Sequence, residues 1–401
     1  MFNSLKFKVI LFGFIFTFFS SFGQSYFLGL FNSSIREALS ITHGQFGSIY
    51  ASATLCSSLL LIWVGKKIDD VNIFKFAFFV TILLSFACFF FSRVTSVFLL
   101  FIAIFLMRFS GQGMMSHTAS TTISRYFTKT RGRALSISWF GLSSAEFIMP
   151  VLMVYLLTII DWQNLWLIFS ITVLIILPTA SFLLIKNLNL DSRENSNENI
   201  KEVEIKQWNR REVIKDYRFY IISSNMLAMP WIFTGFAVFQ SFIQTSKGWG
   251  PYVIAQSFMS YSIFSVLTLF LSGFLIDKFT SRKLLIYMNI PLLLSVIVLF
   301  FFDIPVTAFI FLGLVGISNG FANILGSSTW AELYGVKYLG SIKALTTALM
   351  VFATAFGTAL FGYLIDIGFS VGDIAVVSGS YIFISLILLF LVRKKLNPVI
   401  I

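Results

Sequence analysis

The chain has 401 residues, of which 57% are hydrophobic and only 11% charged, with a formal net charge of +12. A soluble domain carries about 25% charged residues. This composition therefore excludes a water-soluble enzyme or binding module, because too little polar surface exists to coat one. Twelve helices of about 20 apolar residues each would use most of the hydrophobic content and leave short loops.

The first apolar run, at about 7–31, follows Lys6 and Lys8 and mimics a secretory signal. No small-residue cleavage site closes it and more runs follow, so it reads as a retained helix. Runs at about 44–64, 75–92, 97–124, 134–158 and 163–185 come next. A polar stretch rich in Asn, Glu, Lys and Arg separates them from six more, at about 217–244, 251–275, 283–302, 305–330, 342–366 and 372–392. The expected organisation is a six-helix bundle at 1–185, a solvated linker at 186–216 and a second bundle at 217–401.

With the N-terminus inside, all but four of the 29 Lys and Arg fall in inside loops and ends; the exceptions are Arg36, Arg93, Arg108 and Lys247. Basic loops stay cytoplasmic. Both termini are therefore expected in the cytoplasm, and the positive charge needs no nucleic acid to explain it. Cys56 and Cys88 lie in apolar runs without metal-ligand spacing and read as packing residues. No P-loop, metal-ligand cluster or nucleophile–base arrangement is present, so neither a cofactor nor catalysis is expected.

The halves repeat. Gly65–Asp69 answers Gly273–Asp277 at an offset of 208, and Arg133–Ser136 answers Lys343–Thr346 at 210, each at an equivalent loop. A duplicated six-helix unit explains both.

The loop 273–283, with Gly273, Asp277, Lys278, Arg282 and Lys283, resembles the major facilitator signature G-x-x-x-D-[RK]-x-G-x-[RK]-[RK], with Thr280 in place of the second glycine. Its first-half copy keeps Gly65, Asp69 and Lys75 but has Asp70 and Asn72 where a base and a glycine stand in the signature. Arg108, Gly111 and Gly113 are similar to the R-x-x-G-x-G pattern of the family's fourth span, and Arg131–Ala134 resembles the loop after it. The stretches 330–345 and Arg108–Thr118 are most similar to bacterial relatives of the monocarboxylate and oxalate/formate porters. The resemblance implies an all-α membrane protein of the bacterial inner membrane, with twelve transmembrane helices in two pseudo-symmetric bundles. It also implies alternating access around a midplane substrate site. A monomer is expected, with a small-molecule substrate, protons and the lipid bilayer as its partners.

Arg108 lies about 16 Å into the fourth span at about 1.5 Å per residue. A charge at that depth faces a cavity or a partner, since lipid is costly for it. Glu146 lies at a similar depth in the fifth span. Two readings stand side by side: a structural Arg108–Glu146 ion pair, or an arginine that binds an anionic substrate group while Glu146 takes a proton. Gln112, Gln24, Tyr26, Gln240, Asn319 and Asn323 are candidate substrate-lining residues. Asp69 and Asp277 are candidate gating residues, with Arg133 and Lys343 as their partners. His117 is expected to pack and His43 to be solvated, while Trp330 and Glu332 are placed at the inner mouth. The fifth span has Gly141 and Pro150 but no adjacent Gly-Pro pair, so the antiporter motif of the family it resembles is incomplete, which favours symport or uniport over drug/proton exchange. The expected function is proton-coupled transport of a small organic anion. An exporter of amphipathic drugs or metabolites and a non-transporting sensor on a carrier fold stay open as alternatives.

Overall fold

Helices begin where a polar side chain satisfies the free N–H groups of the first turn. Thr42 and Gln45 form a reciprocal capping box, as do Ser370 and Asp373. Asn72, Ser96, Asp161 and Asp216 cap through their own side chains, without the reciprocal bond. The Asn164 amide that Asp161 accepts holds this carboxyl below its ordinary range. The computed structural model describes residues 4–127, 130–186 and 206–398. Among them are 12 helices long and apolar enough to cross a membrane.

These are α1 (Leu5–Gly29), α2 (His43–Ile68), α3 (Ile73–Phe91), α4 (Val97–Tyr126), α5 (Gly132–Leu156), α6 (Trp162–Ile185), α7 (Tyr217–Val238), α8 (Val253–Ile276), α9 (Ser281–Phe301), α10 (Val306–Tyr334), α11 (Leu339–Asp366) and α12 (Val371–Lys395). Each lies within a few residues of its expected span except α7, expected to reach 244, which ends at Val238 where Phe239 breaks the helix before a short one at Gln240–Ser246. No strand occurs among the described residues. Two compact units divide the chain, Met1–Glu198 and Asn199–Ile401.

Within the first unit α1 pairs with α5, α2 with α4 and α3 with α6, among other contacts. The second unit repeats them as α7 with α11, α8 with α10 and α9 with α12. Small residues permit the close crossings. A Cβ on Gly141 of α5 would collide with the Phe14 carbonyl of α1, and one on Gly357 of α11 would collide with the Trp231 carbonyl of α7. The third pairing carries a reciprocal link in the first unit: Ser85 Oγ donates to the Ser170 carbonyl at 3.0 Å and Ser170 Oγ to the Ser85 carbonyl at 2.9 Å. Ser295 and Ser378 take the equivalent places in α9 and α12.

Buried aromatics knit the first unit, with Phe22, Phe27, Phe31 and Phe169 around the ring of Trp166. Outward-facing side chains such as Phe98, Phe274 and Leu391 stay exposed, which suits contact with lipid tails. The solvated linker expected at 186–216 is corrected in its last part. Asn209 caps a short helix at Arg210–Lys215, Val213 is wholly buried, and the Trp208 amide donates to the Tyr334 carbonyl at 2.9 Å. An apolar Trp and Val within the polar run explain this packing. Residues 187–205 of the linker lie outside the described residues.

A buried arginine at a broken helix as candidate functional site

The run Ser20–Ser21–Phe22–Gly23–Gln24–Ser25 interrupts the apolar α1 with hydroxyls, a glycine and an amide. Such side chains compete for backbone hydrogen bonds and loosen a helix. The α-helix Ser4–Ser20 accordingly tightens to a 3-10 turn at Ser21–Gly23. Gln24 is extended (φ −80°, ψ 151°), and the helix resumes at Ser25–Gly29.

Opposite this break, α4 widens into π-helical turns from Arg108 to Met115. Stretches of this kind are rare and cluster at functional sites. The widening coincides with backbone-to-backbone contact: a Cβ on Gly111 would stand 2.6 Å from the Gly23 nitrogen. One on Gly23 would collide with the Gln112 nitrogen and the Met107 carbonyl. Only glycine fits on either side.

Arg108 opens the π segment and is 3% exposed. Its Nη1 donates to the Gly23 carbonyl at 2.9 Å and to Ser25 Oγ at 3.3 Å. Tyr50 of α2 lies beneath the guanidinium, 5.3 Å from carbon to ring centroid, and its hydroxyl donates to Ser25 Oγ at 3.0 Å. The arginine is therefore held from one side by the broken helix and from below by a ring. Its Nε–H has no hydrogen-bond partner, and Nη1 is its one bonded nitrogen among the described residues. An Nε edge left without a partner is of the kind that takes a carboxylate through two parallel N–H bonds.

Glu146 of α5 is also buried, at 8% exposure. The Arg108–Glu146 ion pair offered as one reading is not formed: ion pairs among the described residues link other partners. Glu146 instead lies within electrostatic reach of the buried Tyr26, just past the break. The break in α1 thus holds Arg108 through Gly23 and Ser25.

The other candidates divide. Gln24 is half-buried at the break itself, and Gln112 is half-buried in the π segment with its backbone nitrogen against Gly23. Gln240, Asn319 and Asn323 belong to the second unit. Gln240 is buried and donates to the Ala237 carbonyl at 2.9 Å; it lines a small apolar cavity with Phe236, Trp249 and Phe258. Asn319 donates to Ser265 Oγ at 2.9 Å and so joins α10 to α8, while Asn323 is exposed. Sequence reasoning missed Gly23, Ser25 and Tyr50. The polar run in an apolar span signals the first two, and nothing in the local sequence singles out Tyr50.

The gating candidates require a correction. Asp69 pairs with Arg125, whose Nη1 also donates to the Ile68 carbonyl at 3.0 Å. Arg133, expected as a partner, is exposed, and among the described residues neither it nor Lys343 forms an ion pair. The pairing of α2 with α4 explains this, since it brings the end of α4 against the loop after α2. The side chain of Asp277 lies outside the described residues. His117 packs as expected, with Nε2 3.0 Å from the Gly65 carbonyl. In the second unit Glu332, at the end of α10, accepts from the Ser281 amide at 2.8 Å and pairs with Arg282 at 3.3 Å. Its offset of 207 from Arg125 is the one that aligns Gly113 with Gly320, so the two units carry opposite charges at one repeat position.

No curated protein matches the sequence. Among solved structures, a bacterial homologue of the human lysosomal transporter Spinster, in an inward-facing and occupied conformation, is similar over 98% of each chain, with a TM-score of 0.72 and 14% identity. The nucleoside transporter NupG is similar over 98% of this chain and 99% of its own, with a TM-score of 0.68 and 15% identity. These likenesses concern the fold. The sequence model of the Major Facilitator Superfamily matches residues 13–255, more than half of the chain. With twelve spans, a duplicated six-helix pairing and this match, the chain belongs to the major facilitator superfamily and is a multi-pass membrane transporter, not an enzyme.

Proposed function

We propose that the protein is a secondary carrier working by alternating access that moves a small, monocarboxylate-like organic anion together with protons. The observation that carries this reading is the half-committed guanidinium of Arg108. It is buried and anchored through Nη1, and its Nε edge has no partner. A fixed guanidinium with an open edge recognises a planar carboxylate better than a neutral or cationic amphiphile. Glu146 is buried and joins none of the ion pairs among the described residues, which suits it to the role of proton carrier. Tyr26, Gln24 and Gln112 stand around the same break and supply polar contacts for the rest of a small substrate. The pairs Asp69–Arg125 and Arg282–Glu332 tie the basic loops to the ends of α4 and α10, and we read them as gating contacts. Asp277, Arg133 and Lys343 keep their place in this proposal as neighbouring charges of the same loops. The membrane is proposed to be a bacterial inner membrane, with both termini in the cytoplasm and the carrier a monomer.

The test is uptake of a panel of small carboxylates into proteoliposomes under an inside-alkaline pH gradient, with Arg108→Ala and Glu146→Gln beside the wild type. Arg108→Ala is expected to lower uptake at least about 100-fold, the loss of a charge-assisted bidentate contact. Glu146→Gln is expected to retain exchange but lose accumulation. A protein that moves neutral or cationic amphiphiles equally well with Ala at position 108 would instead be the exporter.

A further inference from the structure

Residues 395–397, at the end of α12 and just beyond it, are packed against the rest of the second unit. Leu396 is 3% exposed and enters a core cluster with Val213, Leu285, Trp330 and Tyr334. On either side of it stand two arginines from distant parts of the second unit. Arg218, at the start of α7, donates through Nη1 to the Asn397 carbonyl at 2.8 Å and to the Lys395 carbonyl at 3.4 Å. Arg282, at the start of α9, donates through Nη1 to the Leu396 carbonyl at 2.8 Å and to Asn397 Oδ1 at 3.0 Å.

Each arginine gives its remaining edge to a carboxylate. Arg218 pairs with Asp216 at 2.7 Å, and Asp216 in turn accepts from the Tyr334 hydroxyl at 3.2 Å. Arg282 pairs with Glu332, which also holds the Ser281 amide. One connected path therefore runs from Tyr334 through Asp216 and Arg218, across residues 395–397, to Arg282, Glu332 and the first turn of α9. Without the segment, the two ion pairs have no hydrogen bond joining them and Arg282 loses two of its acceptors.

We infer that residues 395–397 form a strap that positions Arg282, and that its release loosens the Arg282–Glu332 contact. The inference rests on the reading of that contact as part of a gate. Arg218 and Asn397 are positioning residues in this scheme: they act on the loop through Arg282. The apolar anchor and the three carbonyl acceptors are independent of the pair they support, so strap and pair can be broken separately.

The experiment is hydrogen–deuterium exchange on the full-length protein in detergent, read at the amides of Ser281 and Arg282. Deleting residues 396–401 is expected to speed exchange there about tenfold, the effect of losing hydrogen bonds to a charged group. Arg218→Gln is expected to do the same from more than sixty residues away in sequence, and Asn397→Leu to do so in part. Asn397→Asp, which keeps an acceptor for Arg282, is expected to restore slow exchange, and Lys394→Ala to leave it unchanged. Glu332→Gln is run alongside. If Glu332→Gln speeds exchange while the deletion and Arg218→Gln leave it within about twofold of wild type, the strap is wrong and the Glu332 contact stands. If none of the three moves it, both are wrong.

Discussion

Arg108 shows how a charge is kept inside a membrane protein. Its Nη1 faces a carbonyl freed by the break in α1, and a tyrosine ring covers its lower face. Such a ring under a desolvated guanidinium contributes about 2 kcal/mol, and the Tyr50 hydroxyl bond to Ser25 about 1 kcal/mol. Tyr50→Phe is therefore expected to raise the KM for the transported carboxylate about fivefold with little change in kcat. Tyr50→Leu, which also removes the ring, is expected to raise it further. Initial rates in proteoliposomes check this, and equal effects of the two changes would remove the ring from the account. Arg108 was legible in the sequence because a lone arginine in an apolar run is conspicuous. What it touches was not, since Gly23 and Tyr50 lie 85 and 58 positions away.

At the scale of the element, α1 and α4 fail as regular helices at the same place. Gly23 and Gly111 are in backbone contact there, and neither tolerates a side chain. Gly111→Ala is expected to cost about 1–3 kcal/mol, the usual penalty for overpacking, and to lower the melting temperature in detergent. Gly132→Ala is the control, since a Cβ there meets nothing within 4 Å. A melt of Gly111→Ala indistinguishable from that control would mean the crossing relaxes freely. The helices themselves could be read from hydropathy to within a few residues, the end of α7 excepted. The π turns could not, because an R-F-S-G-Q-G run fits an α-helix until another backbone presses on it. The last part of the linker is a similar case: its charge reads as solvated, and only Trp208 and Val213 hint that it packs.

On the scale of the whole chain, the two units share one helix pairing and differ in charge. The first places a base at the end of α4 against Asp69, with side chains 30% and 67% exposed. The second places an acid at the end of α10 against Arg282, with side chains 20% and 27% exposed, and has it hold a backbone amide as well. Exposed pairs are worth less than about 1 kcal/mol, while stranding a buried donor costs about 1–3 kcal/mol. Glu332→Gln is therefore expected to destabilise the protein more than Asp69→Asn does. Melting curves of the two variants decide it, and equal shifts would contradict the asymmetry.

Composition, hydropathy and the spacing of glycines and charges determined the class of fold, the number of spans and the duplication, because a bilayer demands long apolar helices whatever their neighbours. They also exposed Arg108 and Glu146, since charge in an apolar span is rare. Only the tertiary structure decided which groups meet. It kept Arg108 and Glu146 apart, gave Asp69 to Arg125 and not to Arg133, and laid Leu396 and Asn397 between two arginines. Those outcomes depend on which backbones approach closely enough to exclude a side chain, and that distance is set by packing across the chain, not by any local run of residues.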